Sequence, residues 1–256
     1  MKNQYFGDIN DYRKYGLLRV LQTGHTRKLL VAWMLTPDDD GGDGQVRAYL
    51  QQPERWGRFD PELYDSLTAL LQSASSPRVS LIEGTCLLPR ATFCSAEVPN
   101  DRRGRDVWRE GLRRSISELK PNLVFFDPDN GIEVPSAPVG RKGSSKYVTW
   151  QEIQETWAAG CSLLIYQHFR REPRETFAAR MVSELHRCCQ HPLTLAFRTA
   201  HVLFLLVVQP RHETWLQQAV ASGLPRWKGQ IEMMGAGYHV DAADGVPSPQ
   251  LNRVGR

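Results

Sequence analysis

Paired cysteines are the first thing this chain lacks. Cys86, Cys94, Cys161, Cys188 and Cys189 are odd in number and form no C-x-x-C pair. That argues against a disulfide frame or a zinc site and for reduced thiols in a cytoplasmic protein. No apolar run is long enough to cross a bilayer, so no membrane partner is expected. Met1 to Arg13 is polar and charged, unlike a secretory leader. The phosphate loop G-x-x-x-x-G-K-[ST] and the nucleophile elbow G-x-S-x-G are both missing, as is any internal repeat. Lysine is scarce, seven against twenty-five arginines, so the net charge of +4 is carried by the side chain best shaped for bidentate phosphate contacts.

What is present is alternation. Helices are expected over Asp11–Gln22, with Asp8 or Asn10 as N-cap, and over Pro61–Gln72, Arg105–Leu119, Trp150–Ala159 and Arg174–Cys189. Thr149 and Glu152 have capping-box spacing. Strands are expected at Leu29–Leu35, Val79–Ile82, Thr92–Ser95, Leu123–Phe126 and Ser162–Tyr166, and Leu193–Arg198 with Val202–Val208 reads as an antiparallel pair. This order predicts one α/β domain over residues 1–240, a mostly parallel Rossmann-like sheet with helices on both faces and an antiparallel strand near its C-terminal end. Residues 241–256, rich in Gly, Pro and Ser, are expected to be a disordered tail.

The densest signal is Leu123-Val124-Phe125-Phe126 running into Asp127-Pro128-Asp129-Asn130-Gly131-Ile132-Glu133. An apolar run that stops at proline and Asn-Gly is a buried strand ending in a turn. Carboxylates then stand at the strand's carboxyl end, where open α/β sheets place their ligands. Two other strands end in polar clusters, Thr36 to Gly44 and Gln167 to Glu172, and Thr92–Ser95 ends near Glu97. In a parallel sheet all four ends share one edge.

The order of parts resembles the Rossmann-fold methyltransferases that include the J-type large-subunit ribosomal RNA adenine-N6 methyltransferase and the three-Cys-motif partner proteins. The resemblance is carried by Gly7-Asp8-Ile9-Asn10-Asp11-Tyr12-Arg13-Lys14-Tyr15, by the Gly-rich acidic loop Thr36 to Gly44, and by Asp127-Pro128-Asp129-Asn130 at the place of an Asp-Pro-Pro-Tyr turn. The block from Lys2 to Arg19 is also similar to one found in a bacterial subfamily, which implies no activity. The wider resemblance implies S-adenosylmethionine as cofactor, near Thr36, Asp38, Gly41, Gly42, Gly44 and Glu97. It implies Asp127 as acceptor of a hydrogen bond from a target amine, with Lys14 from the first helix, on nucleic acid or a nucleotide-like substrate. Asp129 and Asn130 replace the family's second proline and its base-stacking tyrosine.

The residues also admit other chemistry. Asp127, Asp129 and Glu133 together would suit Mg2+ or Mn2+ in a nuclease or phosphohydrolase, with His168 as general base. A degenerate relative that only binds RNA or protein is a third reading. The stretch Gly140 to Tyr147 offers Arg141, Lys142, Ser144, Ser145 and Lys146 as phosphate donors on a glycine-rich loop. Arg102, Arg105, Arg109 and Arg113 fall near one helical face, expected to be solvated or to meet nucleic acid.

Overall fold

The computed structural model describes residues 1–23, 27–41, 44–190 and 192–238; the expected tail 241–256 and Gly42 lie outside them. Strands are β1 (Leu29–Ala32), β2 (Ala91–Cys94), β3 (Leu123–Phe126), β4 (Gly131–Ile132), β5 (Tyr147–Val148), β6 (Ser162–His168), β7 (Leu193–Arg198), β8 (Val202–Val208) and β9 (Glu232–Tyr238). Helices are α1 (Ile9–Leu21), α2 (Pro53–Trp56), α3 (Pro61–Ser73), α4 (Ser80–Glu83), α5 (Arg102–Leu119), α6 (Trp150–Ala158), α7 (Arg174–Cys188) and α8 (Glu213–Gly223).

The main sheet runs β2-β1-β3-β6-β8-β7-β9. β2, β1, β3 and β6 are parallel; β8 lies antiparallel between β6 and β7. This is the Rossmann-like α/β arrangement the alternation predicts. β1 and β3 are buried at every residue because both sheet faces are covered. Alternate residues feed separate cores: Leu29, Val31, Leu123 and Phe125 pack with α1, α3 and α8, while Leu30, Ala32, Val124 and Phe126 pack with α5, α6 and α7. Asp8 caps α1 through Asn10 N, and the Thr149–Glu152 capping box opens α6. No helix among the described residues is long and apolar enough to cross a membrane.

Several expectations need correction. Val79–Ile82 is no strand: Ser80–Glu83 forms one helical turn, which buries Val79 and Ile82 on the same side. β1 stops at Ala32 rather than Leu35, because Met34 takes a left-handed φ of 49° that turns the chain out of the ladder. β6 continues past Tyr166 to His168, held by the pairing of His168 with Val202. α8 and β9 are elements that the alternation of the sequence does not predict.

The arginine face of α5 is not simply solvated. Arg105 is buried, and its Nε and Nη2 donate to Glu152 Oε1 and Oε2, both at 2.6 Å. Arg113 likewise bridges to Glu155. The row fastens α5 to α6.

Candidate functional site

The parallel strands bring their carboxyl ends to one edge, and a crevice of about 450 Å³ opens there. Asp127, Asp129, Asn130, Lys14, Tyr166, His168 and Lys146 line it, joined by Asp11, Tyr5 and Asp39. Strand register explains the convergence. Ala32 pairs with Phe126 and Phe126 with Ile165, so the residues just beyond each meet side by side.

A chain of buried charges forms the floor. Lys14 Nζ lies 2.7 Å from Asp127 Oδ2 and 2.6 Å from Asp11 Oδ1, and it faces the rings of Tyr15, Trp33 and Tyr166 at 5.2, 5.4 and 5.9 Å. The Met1 α-amino group is 2.6 Å from Asp129 Oδ1 and donates to the carbonyls of Met34 and Asp127. Thr36 Oγ1 donates to Asp129 Oδ2 at 2.7 Å.

Burial sets the titration of this floor. It pushes Asp127 and Asp11 above the usual carboxylate range, only partly opposed by the one lysine they share. Burial alone would lower Lys14, but the two carboxylates raise it, so it stays an ammonium. Asp129 is held low: burial pushes it up, but the Met1 amino group, the Thr36 hydroxyl and Lys2 together more than offset that, while burial lowers the Met1 amino group itself. His168 keeps a solvent-exposed edge, yet desolvation on its inner side lowers its pKa against the pull of Asp129 and Asp127, leaving it neutral at pH 7.

The turn itself is held by Gln167. Its Oε1 accepts from Ile132 N at 2.8 Å and its Nε2 donates to the carbonyls of Asn130 and His168. Gly131 has φ +121°, and a Cβ there would lie 2.3 Å from that amide oxygen, so glycine is required. Asp11 belongs to the first-helix motif, at i,i+3 spacing to Lys14, and Gln167 opens the polar cluster after Ser162–Tyr166; Tyr166, at the end of an apolar run, carries no such signal.

Other candidate residues sit differently. Glu97 is exposed beside Leu35 and does not line the crevice. Asp38 is exposed and accepts from Gln4 N, while Gly41 bonds to Asp39 and Gln4. Thr36 is buried against Asp129, and Gly44 lines the crevice with the Tyr5 ring packed on it. The acidic loop is therefore fastened to the N-terminal segment, with Lys2 paired to Asp39.

The glycine-rich loop is also corrected. The amides of Gly143 and Ser145 converge as expected, but Asn100 Oδ1 accepts from both, at 2.9 and 3.0 Å, where a phosphate oxygen would sit. Ser144 and Ser145 are buried, and Arg141 and Lys142 project to solvent. Only Lys146 of this group reaches the crevice.

The residues do not fit the divalent metal. Glu133 accepts from Trp150 N at the start of α6 and lines a different cavity. Lys14 already lies against Asp127, and no group of three His, Cys, Asp or Glu able to hold an ion occurs among the described residues. The crevice volume is in the range of ligand pockets; Tyr5, Tyr166 and Lys146 line it, while Asp129 and Asp39 are already paired with Met1 and Lys2. A second depression of about 660 Å³ adjoins across Asn130 and His168, beside Arg170.

The fold is that of a Rossmann-like α/β protein with a crevice at the carboxyl edge of its sheet. No family model matches the chain, and no curated protein matches it.

Proposed function

We propose that the chain is an S-adenosylmethionine-dependent methyltransferase acting on a nucleotide-like substrate, with the crevice at Asp127 as its active site. One observation carries the reading: a buried carboxylate, fixed by Lys14, stands at the carboxyl end of the central parallel strand, in a crevice that adjoins a second depression through Asn130 and His168.

When bound, the cofactor supplies an electrophilic methyl group. Asp127 accepts a hydrogen bond from the substrate amine and raises electron density on its nitrogen. Lys14 prevents the carboxylate from turning away. His168, neutral at pH 7, takes the proton the amine releases. Asn130 and His168 line both cavities and hold the substrate at their junction. Arg170, in the adjoining depression, binds its phosphate.

The test is methyl transfer from labelled S-adenosylmethionine to nucleotides, RNA and DNA. Wild-type chain transfers label to one of them and Asp127→Asn does not. Absence of label in every acceptor overturns the assignment.

A further inference from the structure

A cavity of about 920 Å³ lies at the opposite edge of the sheet, between α5, α6 and the segment after β8. We infer that it binds a nucleotide carrying two or more phosphates, at a site separate from the crevice. The inference does not depend on the methyltransferase reading.

Charge is the first argument. Arg27, Arg109, Arg113, Lys120 and Arg211 line the cavity against only Glu152 and Glu155, and Glu152 is already paired with buried Arg105. Some of this charge has local partners. Arg113 bridges to Glu155, and Arg211 donates to the Gly160 carbonyl at the end of α6. Arg109 is paired through Nη2 with Asp106, and its Nη1 donates to Gln151. Arg27 and Lys120 have no carboxylate partner among the described residues. Of the Arg109 guanidinium, only Nε is buried without an acceptor, with Glu155 Oε2 3.9 Å from it. A desolvated guanidinium N–H without an acceptor is costly, and an anionic oxygen in the cavity would satisfy it.

Shape is the second. Leu112, Ile116, Ala158 and Ala159 give the cavity an apolar side, and Arg27 is stacked on Trp215 with its Cζ 5.5 Å from the ring centroid. An apolar wall beside a cationic rim matches a base joined to a phosphate chain. Inorganic phosphate would use the rim alone.

The whole chain is titrated with ATP, inorganic pyrophosphate and a short RNA oligonucleotide. ATP binds saturably and pyrophosphate more weakly. Arg27→Gln and Lys120→Asn, both exposed, each weaken ATP binding roughly tenfold, as loss of a charge-assisted contact does. Asparagine tolerates the left-handed backbone of Lys120, φ 47°, so that variant keeps the helix cap. Arg141→Gln, exposed at the other edge, leaves it unchanged. Failure of ATP to bind, retention of its affinity in both cavity variants, or binding of RNA without ATP each overturns the assignment. A methyltransferase assay that fails while ATP binds leaves this site standing.

Discussion

Lys14 and Asp127 stand 113 positions apart in the chain and meet at 2.7 Å, both buried, at the carboxyl end of the central strand. The first helix thereby reaches across the sheet edge to fix the residue on which the proposed chemistry turns. A buried pair of this kind stabilises little against an apolar replacement of both partners, yet removing one partner leaves a bare charge.

Lys14→Met therefore destabilises the fold by about 3–5 kcal/mol, because Asp11 and Asp127 are left together without their cation. Adding Asp127→Asn recovers part of the loss. Urea unfolding of both single variants and the double variant measures this. Additive losses would contradict the coupling.

Arg105 and Arg113 lie on the same helix and face the same neighbour, but burial separates them. Arg105→Met costs about 3–5 kcal/mol, since buried Glu152 loses its bidentate partner. Arg113→Ala, at an exposed bridge, leaves the denaturation midpoint unchanged. Equal effects would refute the assignment of Arg105 as the fastening between α5 and α6.

Gly16→Ala reverses the usual helix rule. Alanine in a helix interior ordinarily gains about 1 kcal/mol over glycine. Here its Cβ would lie 2.0 Å from the Trp227 ring, so the substitution destabilises by about 1–3 kcal/mol. A raised melting temperature would show that α1 and Trp227 are not in this contact.

His212 makes the fold acid-sensitive. Burial, with Arg211 and Arg27 nearby, pushes its pKa down to about 4 from the ordinary 6.5. Between those values the unfolded chain binds a proton that the folded chain refuses. Stability is therefore full above pH 6.5 and falls as the pH drops toward 4, by a few kcal/mol at most, on the order of 1.4 per pH decade. Denaturant midpoints between pH 7.5 and pH 5 should fall more steeply for wild type than for His212→Gln. Parallel slopes would exclude His212 as the cause.

Much of the layout was legible because apolar periodicity reports burial directly. Leu123–Phe126 and Val202–Val208 have no polar residue to place, and Thr149 and Glu152 fix a helix start by spacing alone. The edge where the crevice opens follows from strand polarity. Long-range partners did not follow. Nothing near Glu133 in sequence announces that it accepts from Trp150 N, and nothing in Gly143-Ser144-Ser145 announces that Asn100 fills its nest. Arg105 reads like its exposed neighbours until Glu152 is packed against it. Polar residues on loops are ambiguous locally because their partners come from elsewhere in the fold.

The central claim is that the crevice beside Asp127 holds an S-adenosyl ligand. Calorimetric titration of the whole chain with S-adenosylhomocysteine tests it most directly. The account predicts saturable binding that weakens roughly tenfold in Lys146→Ala and in His168→Ala, whose side chains lie at the crevice wall, and is unchanged in Lys120→Asn. No saturable heat at millimolar ligand, or binding indifferent to both crevice variants, would contradict it.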